Sequence, residues 1–243
     1  MKFVTYNLYE GAQPRFGFKK KEYIEEAKIC IESIKKNGNF NGTIYLFTDI
    51  KINIENVIVI NVDVESVYLS ASYRLRFFEH FNLKDIDKNE IILYLDTDVV
   101  VLNTIPCFYN INSKIQVYGY PERTQNHHHF AGCITRNKKY IDKMAICSGI
   151  LLFRPCEEVK NCFDESYNLY LDLIKKNKVN CCWEQPSLCY TLTKLDMVDI
   201  SLIDITCEER SLNNKPIEKH IVFNHFCGMR SEDRYLKMKK YLM

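Results

Sequence analysis

Asp96-Thr97-Asp98 follows a run of five largely apolar residues, Ile91 to Leu95, and leads straight into another, Val99 to Val101. Two carboxylates one residue apart at the C-terminal end of a buried strand stand where open α/β sheets bind their ligands. On a still-extended chain both side chains would share one face. Hard oxygen donors of this kind hold Mg²⁺ or Mn²⁺ and leave coordination positions for phosphate oxygens, so the pair suits a diphosphate whose charge must be neutralised. The alternative, solvated aspartates capping the next segment, sits poorly with such apolar flanks. His225 lies in the alternating run Val222 to Phe226. It reads either as a core histidine or as a third metal ligand; as a ligand it binds neutral, and activity would then fall below about pH 6.5. His127-His128-His129 tempts a metal assignment too, but adjacent side chains on an extended chain point to opposite faces. The run is therefore read as a loop. Cys181-Cys182 is expected to form neither a disulfide nor a chelate and to serve as core or loop thiols.

The elements that must position these residues follow from periodicity. Lys2 to Leu8 reads as a first strand, with Thr43 to Thr48, Val57 to Val62, Ile91 to Leu95, Gly149 to Phe153 and His220 to Phe226 as later ones. Ile24, Ala27, Ile31 and Ile34 recur at helical spacing and stop at Asn37-Gly38. Tyr68, Ala71, Leu75 and Phe78 predict one helix over about 66–82, with Tyr73, Arg74 and Arg76 off its apolar stripe. Residues 120–145 lack periodicity and are expected to form a long loop. Phe163, Tyr167, Tyr170 and Ile174 mark another helix. Pro186 opens the next, with Leu188, Leu192 and Leu195 inward, and Ser231 starts a last short one. Strands alternating with helices predict an α/β fold built on a single mixed, mainly parallel sheet flanked by helices.

At 243 residues, 47% hydrophobic and 26% charged, the chain has the composition of a globular protein, which excludes disorder and fibrous classes. A net charge of +2 is too small for binding that rests on neutralising a phosphate backbone, so no nucleic-acid partner is implied. Eleven cysteines without a Cys-x-x-Cys pair argue against a zinc knuckle or a dithiol redox motif. The start of the chain lacks signal-peptide character and no window approaches the ~18 apolar residues of a membrane span. A soluble protein of the reducing cytoplasm is expected, with the basic C-terminus packed as a helix rather than held at a membrane.

Taken together, these segments resemble the GT-A glycosyltransferases, most closely family 8, which includes glycogenin and bacterial lipopolysaccharide galactosyltransferases. The resemblance covers most of the chain. Phe3-Val4-Thr5 is similar to the strand whose end receives the nucleotide, and Tyr9 to the aromatic residue packed on uracil. Tyr73-Arg74-Leu75 resembles the family's Tyr-Arg-Leu, and Asp96-Thr97-Asp98 its Asp-x-Asp. Cys147-Ser148-Gly149-Ile150 resembles Asn-Ser/Ala-Gly-Val, Glu184-Gln185 resembles Asp-Gln, and His225-Phe226-Cys227-Gly228 resembles His-Phe-x-Gly. Cys147 and Glu184 depart from that pattern. Ser231 stands where the family has a diphosphate-binding Lys, with Arg230 one residue earlier as the substitute cation.

The resemblance implies one GT-A domain over 1–243, with residues 1–106 as the nucleotide-sugar half and 107–243 as the acceptor half. It implies transfer of a hexose, glucose or galactose, from a UDP-sugar to a glycan, glycoprotein or glycolipid hydroxyl with retention of configuration. Asp96, Asp98 and His225 would hold Mn²⁺ or Mg²⁺. Thr5, Tyr9, Arg74, Asp96, Thr97, Asp98, Ser148, Gly149, Gly228 and Arg230 would bind the UDP-sugar, and Gln185, Glu184 and Arg74 would serve catalysis. Two rivals stand beside it: a haloacid-dehalogenase-type phosphatase, which also carries Asp-x-Asp-x-Val, and a sugar-nucleotide or glycan-binding scaffold without activity.

Overall fold

The computed structural model describes residues 2–7, 20–87, 89–108, 117–229 and 231–242. In chain order the elements are β1 (Lys2–Asn7), α1 (Lys20–Lys36), β2 (Ile44–Thr48), β3 (Ile58–Asn61), α2 (Val67–Ala71), α3 (Phe77–His80), β4 (Ile92–Leu95), β5 (Val99–Val101), β6 (Val117–Thr124), α4 (Lys138–Ile141), β7 (Met144–Phe153), α5 (Glu157–Lys175), α6 (Gln185–Lys194), β8 (Val198–Asp199), β9 (Thr206–Glu208), β10 (Phe223–His225) and α7 (Ser231–Lys239). The protein is α/β with mixed sheets. Its described residues cluster into two compact units, each assembled from separated stretches of chain.

The first unit comprises 1–66, 94–109 and 205–243. β1 and β3 flank β2, both pairs parallel, and β4 follows β1 in the strand order. A second, three-stranded sheet, β5-β10-β9, stands apart from these strands in the hydrogen-bonding pattern. The expectation of a single sheet is corrected here, because the Asp96-Thr97-Asp98 turn lets β5 leave the line of β4 and pair antiparallel with β10. α1 backs this sheet: Ser33 accepts from the Val101 N–H at 2.9 Å and the Asn37 amide donates to the Val101 carbonyl at 2.8 Å. Ile29, Val100, Phe226 and Met238 form a buried cluster, and full burial of each such side chain is worth about 1.5–3 kcal/mol.

The second unit comprises 67–93 and 110–204. β6 pairs antiparallel with the long β7 and parallel with β8. Only the two ends of the segment read as loop, 120–124 and 144–145, are strand; 125–143 is irregular chain and turns with the short α4. The segment's periodicity is spoiled where the β6–β7 register shifts, between Gly119 and Tyr120 and between Pro121 and Thr124. The single helix expected over 66–82 is broken into α2, a 3₁₀ turn at Tyr73–Arg76, and α3. Ser72 causes the break: its hydroxyl bonds the Leu69 carbonyl at 2.9 Å and its N–H bonds the same carbonyl at 3.1 Å. The tighter turn rotates Tyr73 into the core and leaves Tyr68 exposed. Leu195, expected inward, lies past the end of α6 and is 40% exposed.

Candidate metal centre

All four side chains of β4 are buried, so the chain leaves the core at Asp96. There the Val99 N–H bonds the Asp96 carbonyl at 3.1 Å and closes a turn. The two aspartates are thus brought together by a turn and not by an extended stretch. β10 delivers His225 opposite Val99, and the Phe226 N–H donates to the Asp98 carbonyl at 2.9 Å. One ligand atom from each of Asp96, Asp98 and His225 lies within 4.8 Å of the other two. Tyr94, two residues before Asp96 on the same strand face, donates its hydroxyl to Asp96 Oδ1.

Asp98 Oδ2 accepts from Arg234 Nη1 at 2.8 Å. Its Oδ1 lies 3.3 Å from His225 Nε2 but is buried and has no aligned hydrogen-bond donor among the described residues. Burial alone would raise the Asp98 carboxyl; Arg234 and His225 outweigh it and hold the group well below the usual carboxylate range. A carboxylate held ionised by Arg234 and His225, beside a second carboxylate and that imidazole, fits the hard donor set of Mn²⁺ or Mg²⁺. His225 is 3% exposed, so it enters the trio from the core side.

Arg234 was not visible as a site residue in the sequence. Its guanidinium also grips Glu26 of α1 through Nε at 2.7 Å and Nη2 at 2.6 Å. Glu26 is 0% exposed, and α1 buries Glu22, Glu26 and Ser33 alongside its apolar residues. The available signal was a glutamate one position from Ala27 in an otherwise apolar helix face, which calls for a cation. Burial drives the Glu26 carboxyl up to about 7 against the pull of Arg234. Between the unfolded value of 4.5 and about 7, the folded chain therefore keeps a proton that the unfolded chain has released. Stability from this group is complete below 4.5 and is lost as pH rises through 7. Urea midpoints at pH 5 and pH 7 should differ more for the wild type than for Glu26→Gln, and equal differences would remove Glu26 as the cause.

Near the trio, Thr97 is a half-buried turn residue. Gly228 has φ +70, and a Cβ there would meet Arg210 Nη1 at 3.0 Å; the left-handed turn after His225 thus requires glycine. Thr5 lies on β1 opposite Leu46 by its backbone. Tyr9 and Arg230, and the side chain of Thr5, lie outside the described residues.

The second unit holds the remaining expected residues in one polar cluster. Arg74, turned inward by the 3₁₀ segment, pairs with Glu184 Oε1 at 3.0 Å and donates to the Ser148 carbonyl. Gln185 Oε1 accepts from the Ser148 N–H at 3.3 Å and the Ser148 hydroxyl at 3.1 Å, and its amide nitrogen donates to Glu122 Oε2 at 3.4 Å. Glu184 caps α6, with Pro186 in the first turn, and is 2% exposed. Gly149 follows on β7, where its N–H approaches Cys147 Sγ at 3.4 Å. Glu122 was absent from the expected set; it sits on β6 in the segment read as loop.

All eleven cysteines are thiols in this structure. No helix among the described residues is long and apolar enough to cross a membrane. No protein-family model and no curated protein matches the chain.

Proposed function

We propose that this chain is a cytoplasmic, metal-dependent glycosyltransferase of the GT-A type, similar to family 8, that moves a hexose from a UDP-sugar to an acceptor hydroxyl. The observation that carries the reading is the convergence of Asp96, Asp98 and His225, which come from two motifs far apart in sequence. These three would hold Mn²⁺ or Mg²⁺, which when bound supplies a Lewis acid against the departing diphosphate. Arg234 lowers the pKa of the Asp98 carboxyl and at the same time competes with a cation for its Oδ2. In the second unit, the proposal gives Gln185 the task of steadying an oxocarbenium-like centre, with its amide oriented by Ser148 and Glu122. Gln185 carries no titratable group and Glu184 is already bound to Arg74. This favours same-face attack, in which the leaving phosphate takes the acceptor's proton, over inversion by a carboxylate base.

The test is a panel of nucleotide sugars with the EDTA-treated protein, with and without Mn²⁺, read by thermal shift and by UDP release. A UDP-sugar at 100 times its Kd should add about 2.7 kcal/mol of stability, only with the metal, and UDP should accumulate. Stabilisation by GDP- or CMP-sugars alone would overturn the donor. Release of inorganic phosphate in place of UDP would indicate a phosphatase, and binding without turnover a scaffold.

A further inference from the structure

The His127-His128-His129 run does not alternate as an extended chain would. Two consecutive turns curl it, with the His127 N–H on the Thr124 carbonyl at 3.2 Å and the Phe130 N–H on the His127 carbonyl at 2.9 Å. The loop is closed by Gly132, whose N–H bonds the Gln125 carbonyl at 2.6 Å; a Cβ there would collide with the Asn126 carbonyl at 2.4 Å. The three imidazoles are thereby gathered, with His129 4.5 Å from His127 and 4.1 Å from His128 between ring centres.

Cys181 and Cys182 reach the same place from the turn before α6. One ligand atom each from His129, Cys181 and Cys182 lies within 4.8 Å of the others, as is also true of the three histidines among themselves. The cysteine pair, expected to join no chelate, thus has an imidazole within reach of both sulfurs. A single side chain braces the two segments. The Asn180 amide nitrogen donates to the His128 carbonyl at 3.0 Å, while its oxygen accepts from the Cys182 N–H at 2.8 Å. Trp183, at φ +52, completes a left-handed turn that a non-glycine residue adopts only at a cost. The donors remain reachable from solvent, since His129 and Cys182 are half-buried and Cys181 is exposed.

We infer that His129, Cys181 and Cys182 form a second metal site, confined to the second unit, for a thiophilic transition-metal cation of the Zn²⁺ type, with His128 as the nearest imidazole for a fourth position. The donor chemistry separates it from the first centre. Two sulfurs and an imidazole suit Zn²⁺, whereas two carboxylates and an imidazole suit Mn²⁺ or Mg²⁺. Ligand atoms in a tetrahedral zinc site, bound at about 2.0–2.3 Å, come within 4 Å of each other, so small rotamer changes close the gap. Burial together with the neighbouring His128, His127 and Arg123 holds His129 below the ordinary imidazole value, which leaves it neutral and able to ligate. Burial and Cys181 push the Cys182 thiol up to about 12. Each thiol therefore gives up its proton to solvent as its sulfur–metal bond forms, and binding strengthens with rising pH.

The test is a titration of the reduced, EDTA-treated full chain with Co²⁺, followed by Zn²⁺. A thiolate-to-cobalt charge-transfer absorption is expected, saturating at one equivalent and discharged by Zn²⁺. Cys181→Ser with Cys182→Ser should abolish it, and His129→Ala should weaken Co²⁺ binding at least about tenfold. Asp98→Asn should leave it in place, because a carboxylate centre gives no thiolate band. Absence of the band in the reduced wild type, or its persistence in the double serine variant, would overturn the assignment.

Discussion

Asp98→Ala protein will fold normally and release UDP from its donor at least about a hundredfold more slowly than the wild type. Loss of an outer-shell partner alone commonly costs ten- to a hundredfold in metal affinity or activity, and Asp98 is placed as a ligand itself. Stability should hardly change, for a reason specific to this site. Arg234 is shared between Asp98 and Glu26, so removal of Asp98 leaves the guanidinium held by its two bonds to Glu26. Asp96→Ala should lose turnover equally, while also freeing the Tyr94 hydroxyl. Turnover unchanged by EDTA and by both substitutions would end the metal-diphosphate reading. A large drop in melting temperature would instead make Asp98 a structural residue.

Arg234→Met should act with the opposite balance, costing stability while strengthening the binding of a divalent cation. Glu26 has no exposed surface, and breaking a buried ion pair from one side typically costs about 3–5 kcal/mol because the remaining charge is uncompensated. The cost should be largest above pH 7 and smaller near pH 5.5, where Glu26 carries its proton. Meanwhile the departing guanidinium frees Asp98 Oδ2, so calorimetry should show tighter Mn²⁺ binding than in the wild type. Adding Glu26→Leu should recover most of the lost stability, since a well-packed apolar pair can replace a buried ion pair at little or no cost. Equal urea midpoints for the wild type and Arg234→Met would mean that the pair contributes nothing to the fold.

The strand ending in Asp96 and the long helices α1 and α5 were legible because each has one strong local signal: a continuous apolar run, or helical spacing closed by a stop. The grouping of Asp96, Asp98 and His225 was legible for the same reason, as both carboxylates and the histidine lie at strand ends. Arg234 was not, because an arginine in a charged terminal helix looks solvated until the helix is placed against Glu26. The break at Ser72 and the strand β6, which runs through Pro121, were hidden as well. In one case a hydroxyl competes with the backbone ladder, and in the other irregular register erases the alternation that marks a strand. The histidine run lies in a loop as expected, but its side chains gather, because alternation holds for extended chain only and consecutive turns cancel it.

Arg234 reaches back 136 residues to Asp98 and 208 residues to Glu26. During synthesis, then, α1 and the Asp96 turn emerge early with two buried-to-be carboxylates and no cation to receive them. At about 5–20 residues per second, the nascent chain waits roughly 7 to 27 seconds between Asp98 and Arg234. Throughout that interval the burial of Glu26 is opposed by its own charge. The first unit therefore behaves as a lock whose key is made last: the stretch from Ile205 onward completes it, and a chain interrupted before Arg234 would be held open for chaperones or proteases however well its earlier strands had formed.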